Sequence, residues 1–99
     1  MKKSGIKWDL KAKESLKAIY SYYKKLSVQA AKNIKGDILE ETKKLLLFPD
    51  KFQTEPMMGE PYRYRVVRHY KIIYRAEENG LRIVEVFDTR QDHEKLKKL

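Results

Sequence analysis

The sequence predicts an α+β fold, a helical hairpin at the N-terminus packed on a small, mainly antiparallel sheet in the order β-α-α-β-β-β. Two observations carry that expectation. Apolar residues recur at steps of three and four through the first half of the chain, and at steps of two beyond about residue 60. Between the two regimes lies Pro49 to Pro61, which holds all three prolines and Gly59 and reads as an irregular connection.

The elements follow in order. Gly5-Ile6-Lys7-Trp8 supplies a short strand that extends the sheet. Trp8, Ala12, Leu16, Ile19, Tyr20 and Tyr23 share one face of a first helix, with Lys11, Lys13, Lys17 and Lys24 mostly on the other. Asp9 is placed to cap its free amides. Ser27 caps a second helix after a very short joint, and Val28, Ala31, Ile34, Ile38, Thr42 and Leu45 form its apolar stripe up to Phe48-Pro49-Asp50. Gly36 lies inside this helix and costs ~1 kcal/mol relative to Ala, so packing must hold it.

The period then becomes two. Tyr62, Tyr64 and Val66 alternate with Arg63, Arg65 and Val67, Arg68-His69 forms a turn, and Tyr70 to Arg75 is the next strand. Glu78-Asn79-Gly80 is a strong hairpin turn, because Asn-Gly accepts positive φ at little cost. Leu81 to Phe87 follows, so the three strands form a meander. Glu94 to Leu99 reads as a short basic helix or a frayed end. With the hairpin on one sheet face, the other face is expected to stay open.

Ninety-nine residues predict one domain, 1–99. The net charge is +9, which favours an anionic partner. There is no cysteine, so disulfides, a thiolate nucleophile and cysteine-based metal sites are excluded. The longest apolar run is Leu45 to Phe48, too short for a membrane span. No apolar signal core follows the basic start Met1 to Gly5, and the expected location is the cytoplasm.

All six arginines lie between Arg63 and Arg90, whereas the helical half uses only lysine. Arginine suits bidentate phosphate contact and stacking on bases. Arg63, Arg65, Lys71, Arg75 and Arg90, interleaved with Tyr62, Tyr64, Tyr70 and Tyr74, are therefore candidates for a platform that binds single-stranded RNA. The plainer alternative is a strand face charged for solubility. His69 and His93 are the two side chains whose ordinary pKa suits proton transfer at neutral pH, or else exposed turn histidines. Asp88, Asp92, His93 and Glu94 cluster without a metal-ligand spacing, and no phosphate loop or nucleophile elbow occurs. No metal and no cofactor are expected. Tyr20, Tyr22, Tyr23, Leu46, Leu47 and Phe48 exceed what one thin sheet layer covers, and part of that surplus suits a partner's helix or strand.

Trp8, Ala30-Ala31, the strand Tyr70-Lys71-Ile72-Ile73-Tyr74-Arg75 and the closing Phe87-Asp88-Thr89-Arg90-Gln91-Asp92, in this order, resemble the RelE/ParE toxin superfamily over about Ile6 to Leu96. The resemblance implies the toxin of a type II toxin–antitoxin pair, of the kind associated with plasmid stabilization. Its partner would be an antitoxin whose C-terminal segment wraps it. RelE-like members cleave mRNA in the ribosomal A site. ParE-like members share the fold but poison DNA gyrase and lack the nuclease residues.

Under that resemblance Arg90 matches the basic residue closing the last strand, and Lys71 matches a position where RelE-like toxins carry a catalytic arginine. Arg63 and Arg65 stand in for lysines of the preceding strand. The catalytic tyrosine position falls near Leu96, where His93 is the nearby substitute. The expectation formed here is growth inhibition by ribosome-dependent mRNA cleavage, a metal-independent endoribonuclease reaction. Arg90, Lys71 and His93 would be catalytic, and Arg63, Arg65, Arg75 and Tyr64 would bind RNA. The alternatives are a gyrase inhibitor that acts by protein binding, and a degenerate, non-toxic member that survives as an antitoxin-binding or DNA-binding module.

Overall fold

A computed structural model describes residues 5–98. The basic start Met1 to Ser4 and the final residue of the predicted tail, Leu99, lie outside the described residues. The chain runs β1 (Gly5–Trp8), α1 (Leu10–Leu26), α2 (Val28–Leu47), β2 (Arg63–Val67), β3 (Tyr70–Glu77), β4 (Gly80–Asp88) and a 3-10 segment, η1 (His93–Lys98). The strands order as β1-β4-β3-β2. β2, β3 and β4 form the expected meander, and β1 lies parallel to β4. Parallel neighbours need a long crossover, and the helical hairpin supplies it.

Ser27 alone separates the two helices. Its amide donates to the Tyr23 carbonyl at 2.8 Å, closing α1, while its Oγ accepts from the Ala30 amide at 3.1 Å, opening α2. Asp9 occupies the N-cap position of α1 but does not cap it with its side chain. Its carboxylate instead accepts from Arg82 Nη1 at 2.6 Å, because a charge-assisted bond to a guanidinium outcompetes a neutral amide.

Ile19, Ile34, Ile38 and Leu45 of the helices pack on Ile72, Tyr74, Leu81, Ile83 and Val86 of the sheet. Tyr74, expected on an RNA platform, is a core residue with no exposed surface. Its hydroxyl reaches the Pro49 carbonyl at 3.3 Å, and burial raises its pKa. In the ladder Ile73 pairs with Glu85 and Tyr74 with Ile83, so Val84 is an extra residue in β4. This bulge re-aims its neighbour. Glu85 reaches α1, accepting from Ser15 Oγ at 2.6 Å, and its burial raises the carboxyl pKa.

The second sheet face is not left open. The segment between α2 and β2, with η1, folds across it: Met57, Met58 and Tyr62 pack with Ile73, Phe87 and Leu96. Backbone bonds fix this cover, from Glu55 N–H to the Tyr62 carbonyl at 2.8 Å and from Tyr64 N–H to the Gln53 carbonyl at 3.0 Å. The physical reason is the composition of β3 and β4. Ile72-Ile73 and Val86-Phe87 are apolar on both faces, the pattern of strands buried from both sides. The predicted tail helix is real as η1, and Leu96 anchors it to this second core.

Candidate functional site

Successive strand residues point to opposite faces, and directly paired residues share one. Arg63 pairs with Tyr74 and Arg65 with Ile72, which places both arginines on the helix side of the edge strand β2. Arg63 Nη1 donates to the Phe52 carbonyl at 2.5 Å, and Arg65 Nε donates to Glu41 of α2 at 2.8 Å. Tyr64, Lys71 and Arg75 alternate onto the other face. Lys71 is 7% exposed, lies 2.5 Å from the buried Glu55 carboxylate and sits 4.5 Å from the Tyr64 ring centre. Arg75 pairs with Glu77 at 3.6 Å. His93, partly buried, stands edge-on to Phe87 of the second core, ring centres 5.1 Å apart. Arg63, Arg65, Lys71 and Arg75 are thus divided between two faces, and each has an acceptor within the chain, with Lys71 buried and Arg65 and Arg75 at the surface.

Arg90 sits elsewhere, in the turn after β4. Its Nη2 donates to Asp88 Oδ2 at 2.7 Å and its Nε to Asp88 Oδ1 at 3.0 Å. The guanidinium holds the Asp88 carboxyl down at about 2, and the carboxylate raises the arginine pKa in return. Thr89 fixes this turn by donating its amide (2.9 Å) and its hydroxyl (2.8 Å) to the His69 carbonyl. Arg90 therefore stands beside the β2–β3 turn, where Arg68 adopts φ 57° and donates to Asp37 of α2.

This junction carries a cluster that the sequence did not announce. His69 lies against Tyr70, ring centres 4.2 Å apart, and Tyr23 Oη is 3.5 Å from His69 Nε2. Tyr22 meets Tyr23 edge-on at 5.1 Å. Burial and the adjacent Tyr23 hydroxyl push the Tyr70 phenol above its ordinary range. A cavity of about 360 Å³ opens here, lined by Ser15, Ile19, Tyr22, Tyr70, Asp88 and Arg90. Its residues come from α1, β3, β4 and the final turn, so no single run of sequence announces it. Tyr22 and Tyr23 were visible as apolar surplus, and His69 and Arg90 as separate candidates.

Chemically this is a tyrosine-rich concavity with one arginine at its rim. Buried tyrosine and arginine anchors are the residue types that dominate protein–protein binding energy. No group of three acidic or histidine side chains among the described residues is placed to hold a metal ion. No helix among them is long and apolar enough to cross a membrane.

A helical hairpin inserted between a first strand and the parallel last strand of a meander is the architecture of the RelE/ParE toxin superfamily. The model of the ParE toxin of type II toxin–antitoxin systems, parDE, matches residues 6–93, and the chain belongs to that family. A cognate antitoxin is therefore a partner. The structure is similar to a solved chain of a chromosomal ParDE TA system from P. aeruginosa. The two share a TM-score of 0.73 and 23% identity over 86% of this chain and 95% of that chain, a likeness of fold. No curated protein sequence matches the chain.

Proposed function

We propose that this toxin acts in the cytoplasm by binding DNA gyrase, as a protein-binding inhibitor and not as a ribonuclease. The observation that carries the reading is Lys71. The strand position where a nuclease of this superfamily needs a phosphate-directed cation is sealed under the segment before β2 and paired with Glu55. A cation committed to a buried carboxylate has no charge left over for a transition state. His93 does not compensate, since its ring is packed edge-on against Phe87. The concavity lined by Tyr22, Tyr70 and Arg90, with Tyr23 packed edge-on to Tyr22 beside it, suits a protein surface, and membership of the ParE family supports gyrase as the protein concerned.

The test combines a gyrase supercoiling assay with primer extension on cellular mRNA after induction. The expected result is stabilised gyrase–DNA cleavage complexes and an SOS response, with mRNA intact. Tyr23→Ala and Arg90→Ala should abolish inhibition while the purified variants melt cooperatively. Cleaved mRNA with gyrase unaffected would replace this reading with the ribosome-dependent one.

A further inference from the structure

The positive charge of this protein is of two kinds. Every arginine has an acceptor within the chain: Phe52 O for Arg63, Glu41 for Arg65, Asp37 for Arg68, Glu77 for Arg75, Asp9 with Glu77 for Arg82, and Asp88 for Arg90. Among the described residues, lysine ion pairs are formed by Lys11, Lys44, Lys71 and Lys97. The exposed helical lysines Lys13, Lys17, Lys24, Lys25, Lys32, Lys35 and Lys43 form none. Among the described residues the uncompensated charge is therefore concentrated on the solvent side of the hairpin, with Lys7, Lys51 and Lys95 the exposed lysines elsewhere that also form no ion pair.

We infer that the outer face of the helical hairpin, centred on Lys13, Lys17, Lys24 and Lys35, binds the phosphate backbone of duplex DNA. Lys13, Lys17 and Lys24 stand at i, i+4 and i+11 on α1, a single stripe about 16 Å long opposite the buried Ala12 and Ile19. At about 3.4 Å of axial rise per phosphate, that stripe runs past roughly five phosphates of one strand. Lys35 joins it from α2. Its ammonium lies 5.3 Å from the Tyr20 ring centre, in a groove also lined by Lys13 and Lys17.

Two features favour phosphates over an acidic protein segment. The groove between the helices is small, about 210 Å³, and Lys35 already covers the aromatic face that an apolar anchor of a peptide would need. The cations are mobile point charges without the planar fork of arginine, which suits backbone contact and not the reading of base edges. The surface is thus sequence-independent and strongly salt-dependent. This inference goes beyond the gyrase reading and is tested with DNA alone, so either can fail without the other.

The experiment is anisotropy titration of a short fluorescein-labelled DNA duplex with the full chain, repeated between about 50 and 200 mM salt. The triple variant K13A/K17A/K24A should make the slope of log affinity against log salt shallower by about 0.9 per lost contact, about 2.7 in all. The charge-matched control K43A/K44A/K97A, none of whose sites lines the groove, should retain the parent slope to within about one contact. Circular dichroism melts confirm that both variants are folded. Equal losses in the two triples would mean a diffuse effect of net charge and would overturn the inference, as would an unchanged slope in the first. A glutamate-rich peptide bearing one leucine that binds more tightly than the duplex, and loses affinity on Tyr20→Ala, would overturn it in favour of a protein partner.

Discussion

The Nζ of Lys71, in the middle of the sheet, lies 2.5 Å from the carboxylate of Glu55, which belongs to the segment that crosses the sheet's second face. The other carboxylate oxygen accepts from the Met57 amide at 2.7 Å, so the buried charge is met from both sides. Breaking such a pair leaves an uncompensated buried charge. Glu55→Gln or Lys71→Met alone is expected to lower unfolding free energy by about 3–5 kcal/mol. Glu55→Leu combined with Lys71→Met should recover most of that loss. Urea denaturation of the three variants checks the non-additivity, which a surface pair would not show.

Arg90 and Asp88 give a pH signature. A carboxylate held at about 2 contributes stability that is fully present above its ordinary range and is lost as pH falls. The loss runs from about pH 4, the unfolded value, down towards 2. Arg90→Ala returns Asp88 towards the ordinary range. Melting temperatures of variant and parent should therefore differ above pH 4 and converge as pH approaches 2. Parallel curves over the whole range would show that the pair adds nothing to stability.

Gly80 opens β4 with φ 149°, and a β-carbon there would lie 1.9 Å from the Gly5 carbonyl oxygen. Gly80→Ala must therefore push β1 away from β4 at its first rung, where Gly5 pairs with Gly80. The expected cost exceeds the ~1–3 kcal/mol of a strained backbone position, because pairing is lost as well. Hydrogen exchange should show the amides of Gly5–Trp8 unprotected while those of β3 stay slow.

Gly36 is the opposite case. It lies in mid-helix on an exposed surface, and a β-carbon there meets nothing within 4 Å. Gly36→Ala should stabilise the protein by about 1 kcal/mol, read as a rise in the denaturation midpoint at constant slope.

Element order was legible because the apolar period changes once and because Asn79-Gly80 and Ser27 carry local signals strong enough to survive tertiary context. The parallel seat of Gly5–Trp8 beside β4 was not, since nothing local distinguishes one open sheet edge from the other. Lys71 misled for a related reason. Alternation assigns a charged residue to solvent, but its counter-charge Glu55 comes from a segment with no periodicity at all. The apolar residues Ile73 and Phe87 on that same face were the available sign that it is covered. Arg90 stood out alone, whereas Tyr23, His69 and Tyr70 become its neighbours only when α1 lies across the end of the meander.

The pairing of the first strand with the last has a consequence in time. Gly5 is synthesised long before its partner Gly80, and Leu96, which closes the second core, comes later still. At about 5–20 residues per second, β1 waits roughly 4 to 15 seconds for β4 to exist. β2 and β3 can pair before then, but β1 has no strand to lie beside until Gly80–Asp88 has been made, so that edge of the sheet is seated last.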